Sequence, residues 1–285
     1  MPNLKEIRSR IASVASTMQI TSAMKMVSAA KLKRAQDKIV QMRPYAEKLT
    51  QLLGDLTKNL DPAEGGDFSK QRPVKNNLIV TITSNRGLCG GFNANVIKKA
   101  IQIYDKDVNT DILSIGKKSS EFFQKNNYNL ISSHDDIYNN LSFDSVASLA
   151  SEIMDKFTRG DYDRISLIYN QFKNAATQNL LVEEFLPIKL TEDSVDLAAS
   201  DYIFEPKEQE IVQHLIPKAL KTQLFKALLD SLASEHGARM TAMHKATDNA
   251  SDLKDDLTLS YNKARQAAIT GEILEIVGGA EALNN

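Results

Sequence analysis

Ser84-Asn85-Arg86-Gly87-Leu88-Cys89-Gly90-Gly91-Phe92-Asn93 is the stretch whose residue types come nearest to chemistry. A glycine-rich turn from a strand into a helix lets main-chain N–H groups approach a phosphate at the helix N-terminus. The spacing is poor for that task. Gly87, Gly90 and Gly91 do not give G-x-G-x-x-G, and no Gly-Lys-Ser/Thr follows to supply a lysine and a magnesium-binding hydroxyl. A tight turn, or a contact loop using Arg86, fits these residues better than nucleotide binding. Nothing else converges. His134, His214, His236 and His244 lack metal-ligand spacing. Cys89, the single cysteine, has no base near it in sequence and reads as a buried or incidental thiol. Asp135-Asp136 and Asp255-Asp256 read as surface charge. The sequence therefore predicts no catalytic constellation, no metal set and no cofactor.

The elements that would carry these residues are clearer. From Leu4, alternate steps of three and four residues reach Ile7, Ile11, Val14, Met18, Thr21, Lys25, Ser28, Leu32, Ala35, Ile39, Met42, Ala46, Leu49, Leu53 and Leu56, and thirteen of the sixteen are apolar. A 3.5-residue apolar period makes one stripe that a second such stripe can bury by left-handed supercoiling. The helix would be roughly 80 Å long at about 1.5 Å per residue. Pro44 lies off the stripe and is expected to kink the helix or loosen a turn. The polar positions Thr21, Lys25 and Ser28 are consecutive on the seam, while Ala23, Met24, Met26, Val27, Ala29 and Ala30 lie on other faces. Two readings stand: a local shift of register, or a segment that meets a different partner, for which flexible methionines are suited.

Residues after Pro217 read as a partner helix to about 277. Met240, Met243, Ala246, Ala250, Leu253, Leu257, Tyr261, Ala264 and Ala268 form its seam, and Gly278-Gly279 is the expected stop. The apolar tip, Ile273 to Leu283, suggests insertion into another protein. Between the two helices the period changes. Segments 78–83, 111–115 and 164–169 read as strands, 93–105, 117–126 and 143–159 as helices, and 179–187 as a further strand for which an antiparallel run is an open alternative. Such alternation implies a mostly parallel sheet with right-handed crossovers. Residues 61–66 and 189–208 read as linkers. The expected fold is α/β plus coiled coil. N-terminal (1–60) and C-terminal (209–285) segments form a long antiparallel two-helix coiled coil, with a Rossmann-like α/β domain at 74–190 inserted between them.

Charge adds a partner. The net charge is −1, but residues 1–60 hold eleven Lys/Arg against four acids and residues 183–210 hold nine acids against two lysines. A basic helix of that kind meets an acidic partner, whether nucleic acid, anionic lipid or protein. Nucleic acid is disfavoured because the helix lacks an aromatic or asparagine-rich reading face. No run approaches the roughly 18 apolar residues of a membrane span. No secretory signal is visible at Met1 to Arg10; an amphipathic transit sequence stays open there because Arg8 and Arg10 sit on an amphipathic pattern. A lone cysteine fits a reducing compartment.

Three motifs then carry a resemblance. Ile20-Thr-Ser-Ala-Met-Lys-Met-Val-Ser-Ala-Ala-Lys-Leu32, the Ser84–Asn93 turn, and Leu232-Ala-Ser-Glu-His-Gly-Ala-Arg-Met-Thr-Ala-Met-His-Lys-Ala-Thr-Asp-Asn249 followed by Tyr261-Asn-Lys-Ala-Arg-Gln-Ala-Ala-Ile-Thr270 closely resemble the gamma subunit family of F-type ATP synthases, in order, across about 3–283. Met-Val-Ser-Ala stands where the family has Met-Val-Ala-Ala, and His236-Gly237 replaces a more helix-favouring pair. The resemblance implies a central rotor shaft that couples proton flow through a membrane rotor ring to ATP synthesis and hydrolysis on beta subunits, and regulates both. It implies contacts with alpha, beta and epsilon subunits and the rotor ring, no nucleic acid, and no direct lipid insertion. It also implies a peripheral position on the cytoplasmic face of the bacterial inner membrane. By the same matching, Met24, Lys25 and Met26 meet an acidic beta-subunit loop. Arg86, Gly87, Gly90 and Gly91 belong to a lower interface, and Arg239, Gln266, Thr270 and Glu275 are hydrogen-bonding or coupling residues. ATP chemistry would lie in the beta subunit. The rival readings are a nucleotide-dependent enzyme using the Gly87–Gly91 turn and a nucleic-acid-binding basic coil.

Overall fold

Strands buried on both faces read as continuous apolar runs, and the chain supplies them between its two long helices. The computed structural model describes residues 4–57, 67–105, 108–188 and 208–283. The elements are α1 (Leu4–Thr57), β1 (Asn76–Ile82), α2 (Phe92–Ile103), β2 (Asn109–Ile115), α3 (Lys117–Lys125), β3 (Leu130–Ser133), α4 (Phe143–Thr158), β4 (Arg164–Phe172), β5 (Gln178–Leu186) and α5 (Glu208–Leu283). They fall into two compact units, residues 29–239 and residues 1–28 with 240–285.

In the larger unit the strand order is β3-β2-β1-β4-β5, with every neighbour parallel except β4 and β5. Alternate side chains serve opposite faces. Leu78, Val80 and Ile82 of β1 pack with Val146, Ile153 and Phe157 of α4 and with Leu220, Leu224 and Leu228 of α5. Ile79 packs on the other face with Val96 of α2 and Phe123 of α3. The sheet is thus sandwiched, with α2 and α3 on one side and α4 and the first half of α5 on the other. Ser142 starts α4 by accepting a hydrogen bond from Ser145 N at 3.3 Å. Gly116 ends β2 at φ 104°, and a Cβ there would lie 2.1 Å from Thr83 O, so the close approach of the two strand ends demands glycine.

The segment of α1 in this unit buries Leu32, Ala35, Ile39, Ala46 and Leu49. Its neighbours on α5 run backwards in number: Lys31 acts on Glu235, Arg43 on Asp230, and Tyr45 stacks under Lys218 Nζ at 5.9 Å. The two helices are therefore antiparallel. In the smaller unit the same stripe continues, with Thr21 Oγ1 2.8 Å from Thr247 Oγ1.

Several expectations need correction. The register of α1 does not shift at its polar seam: Thr21 and Ser28 are buried and Lys25 is half-buried, whereas Ile20, Met26 and Val27 are exposed. Their hydroxyls bond to the helix's own carbonyls, Thr21 Oγ1 to Met18 O at 3.1 Å and Ser28 Oγ to Met24 O at 2.7 Å, which removes the penalty of burying them. On α5 the seam takes Lys254, half-buried, in place of Leu253, which is 49 % exposed. The stripe then runs 243, 247, 250, 254, 257, 261, 264, a strict alternation of four and three. The long methylene stem of a lysine can lie along a seam while its ammonium stays wet. Helix α1 passes through Pro44, and α5 begins at Glu208 and passes through Pro217 and Gly278-Gly279 without stopping. Pro44 sits on the exposed face, where the carbonyl it leaves unbonded is open to water. Strand β3 was not foreseen: Leu130-Ile-Ser-Ser133 is too short and too polar to stand out. Residues 61–66 and most of the 189–208 linker lie outside the described residues, as do the side chains of Leu53 and Leu56.

Candidate functional site

The order β3-β2-β1-β4-β5 reverses direction between β1 and β4, and in open sheets of this type ligands enter at the carboxyl ends of the strands flanking that reversal. The loop after β1 is the Ser84–Gly91 turn. Its shape is fixed internally. Asn93 Oδ1 accepts from Ser84 N at 2.9 Å, Asn93 Nδ2 donates to Ser84 Oγ at 2.9 Å, and Ser84 Oγ donates to Arg86 O at 2.6 Å. Leu88 and Gly90 take left-handed backbone, φ 62° and 60°, so the turn holds one leucine in a conformation that glycine adopts more readily. Cys89 lies beneath it, 2 % exposed, with burial pushing its thiol up, so it is an inert packing group.

Helix α5 closes the crevice. Ser234 Oγ donates to Asn170 O at the end of β4 (2.9 Å), and Asn170 Nδ2 donates to Phe92 O at the start of α2 (3.1 Å). A turn further, Arg239 Nη2 donates to Arg86 O at 3.0 Å and Gly87 O at 3.2 Å, while Nη1 pairs with Glu235. Both charged side chains are about one-tenth exposed, at 10 % for Arg239 and 11 % for Glu235. Burial raises the Glu235 pKa, and the Arg239 charge and hydrogen bond pull against that rise. Gly237 faces the β4–β5 turn, where a Cβ would come within 3.2 Å of Ala175 Cα and O. The His236-Gly237 pair therefore suits this contact, and α5 continues through it. The place where a dinucleotide would lie is filled by Ser234 to Arg239.

Of the residues singled out in the sequence, Arg86, Gly87 and Arg239 come together, through main-chain carbonyls rather than the Arg86 guanidinium. The Arg86 side chain is exposed, as are Gly90 and Gly91. Met24, Lys25 and Met26 lie on α1 in the other unit, the first two half-buried and Met26 66 % exposed. Gln266, Thr270 and Glu275 are exposed on α5. At 3.6 residues per turn Gln266 and Thr270 share a face, whereas Glu275 points nearly opposite to Gln266. Sequence reasoning missed Glu235, Asn93 and Ser234. The Glu235–Arg239 spacing of four, an acid one helical turn before an arginine, was the available signal. Among the described residues no His/Cys/Asp/Glu group could hold a metal ion, and no helix is long and apolar enough to cross a membrane.

Comparison with known proteins agrees with this architecture. The family model described as ATP synthase matches residues 3–283. The ATP synthase gamma chain of Flavobacterium psychrophilum is 61% identical over 285 residues, covering 99% of this chain and 99% of that protein. A chain of the Tetrahymena thermophila mitochondrial ATP synthase central stalk and c-ring is 27% identical, with a TM-score of 0.61 over 80% of this chain and 99% of that one. A chain of the Euglena gracilis mitochondrial ATP synthase shares the fold at 22% identity, with a TM-score of 0.70 over 98% of this chain and 94% of that one. On its three motifs, its antiparallel helix pair and this full-length match, the chain belongs to the family of ATP synthase gamma chains.

Proposed function

We propose that this chain, as the central-stalk subunit of an ATP synthase, transmits torque and does no ATP chemistry of its own. The observation that carries the reading is the paired α1–α5 stripe, which buries one face of α1 and leaves Ile20, Met26 and Val27 exposed on the other. A shaft that touched three surrounding catalytic sites alike would shift none of them, since only differential contact moves a conformational equilibrium. An apolar face on one side of a helix pair supplies such a difference. The filled crevice between β1 and β4 supports the non-catalytic part.

In this reading alpha and beta subunits surround the helix pair, with Met24, Lys25 and Met26 against an acidic beta-subunit loop and Gln266, Thr270 and Glu275 as further contacts. The α/β domain at 74–190 meets the epsilon subunit and the membrane rotor ring, and Arg86 to Gly91 with Arg239 form the lower interface. The complex couples proton flow to ATP turnover from the cytoplasmic face of a bacterial inner membrane; the bacterial origin of the closely matching relative supports that placement.

Lys25→Glu in the assembled complex tests the coupling role. Proton-driven ATP synthesis is expected to drop severalfold with assembly intact, because a carboxylate replaces the cation that faces the acidic loop. Unchanged synthesis would remove Lys25 from the coupling surface. Micromolar nucleotide binding with turnover by the isolated chain would overthrow the shaft reading itself.

A further inference from the structure

A concave site of about 320 Å³ lies on the larger unit, beside the loop after β1. Its walls bring Lys31, Arg34 and Lys38 of α1 together with Arg86 of the loop, and with Glu235 and His236 of α5. Four cations thus face one carboxylate, and that carboxylate is already taken by Arg239. The three α1 cations are spaced i, i+3, i+7, so they share a face and repel one another. None of the four pairs with a described carboxylate, whereas the neighbouring Lys33 does, with Asp37 at 3.0 Å. His236 is 8 % exposed, and its Nδ1 is buried without a hydrogen-bond partner. A buried ring nitrogen left unpaired is costly, and this one belongs to a residue that lines a site walled by cations.

We propose that this cavity binds a small phosphate-type anion, inorganic phosphate or pyrophosphate, held by Lys31, Arg34, Lys38 and Arg86 with His236 Nδ1 as the buried donor. The anion satisfies the unpaired nitrogen and relieves the repulsion among the α1 cations. The size suits it: the cavity sits at the lower end of the range for small-molecule sites, about 300–1,000 Å³. Without the anion, His236 is held neutral, its pKa depressed to about 4 by burial and by the charges of Arg239 and Lys31. A bound anion beside the ring reverses the electrostatic part of that depression.

The test is a titration of the full chain with sodium phosphate or pyrophosphate at constant ionic strength, chloride serving as the reference salt. The His236 ring resonances are followed by NMR, assigned by their loss in His236→Gln. The expected result is a saturable shift, a rise in the His236 pKa, and binding weakened at least tenfold by Arg34→Glu and severalfold by Lys38→Gln. Lys125→Glu, which does not line the cavity, should leave affinity unchanged, and circular dichroism checks that each variant is folded. A shift that chloride reproduces, that fails to saturate, or that persists undiminished in both cavity variants overturns the site. ADP bound tenfold more tightly than pyrophosphate would overturn the assignment to a bare phosphate group.

Discussion

Arg239 holds the loop after β1 against α5 through two carbonyls and balances the buried charge of Glu235. Arg239→Ala leaves that carboxylate buried, takes away the Arg239 bond to Gly87 O, and leaves Arg86 O with the Ser84 hydroxyl. Breaking one partner of a buried pair costs about 3–5 kcal/mol. That loss should appear as a lower urea midpoint with unchanged slope. Replacing Glu235 and Arg239 together by Leu and Met should cost less than Arg239→Ala alone, since no uncompensated charge remains. Two other buried groups set opposing pH responses. Asp230 has its pKa raised to about 6, chiefly by burial, so the folded chain binds more protons than the unfolded one and stability falls as pH rises from about 4 to 6. His236 has its pKa lowered to about 4, chiefly by burial, so the unfolded chain binds more protons and stability rises from pH 4 towards 6.5. Each shift is about two units, on the order of 3 kcal/mol, and the two oppose each other. His236→Gln should unmask the Asp230 slope, giving a chain that melts higher at pH 4.5 than at pH 6.5. A melting temperature that still rises over that interval would contradict the assignment to these two groups.

At the scale of the element, α5's seam makes the sharpest distinction. Leu253 fits the apolar pattern in sequence yet faces water, while Lys254 takes the seam. Leu253→Lys should change stability by less than about 0.5 kcal/mol, and Met243→Ala, at a position 5 % exposed, should cost at least about 2 kcal/mol by urea unfolding. Helix periodicity showed that the segment was helical and paired. It could not choose between adjacent residues where a lysine stem competes with a leucine, because that choice depends on the partner's surface. The α1 stripe was legible over the residues whose side chains are described, polar seam included, since the hydroxyls of Thr21 and Ser28 are satisfied inside the helix. Strands β1, β2 and β4 were legible as apolar runs covered on both faces. Strand β3 was not, since four residues ending in two serines carry no period. Within the 209–285 segment the helical pattern could be read only after Pro217, whose cost is offset by the buried Ile216, Leu220 and Leu224 around it.

For the molecule as a whole, three motifs in order pointed to the family, whereas the glycine-rich turn alone was a poor match to a nucleotide site. The sheet has the topology for such a site, and the chain spends it otherwise: the crevice is closed by the same helix that pairs with α1. A fold that elsewhere holds ligands thus serves as the mount for a shaft, and function follows from what fills the site. The role of the individual interface residues was not legible in the same way. Gln266, Thr270 and Glu275 are solvent-facing in the isolated chain, and the partners proposed for them belong to other subunits. The central claim is that α1 and α5 turn together as one paired body. Thr21 and Thr247, whose hydroxyls lie 2.8 Å apart, are the position to test it. In a Cys89→Ser background, Thr21→Cys with Thr247→Cys should form a disulfide on mild oxidation. The assembled complex should then keep its ATP-driven rotation with the bond closed. Failure to form the bond in the folded chain, or rotation that stops on oxidation and resumes on reduction, would contradict it.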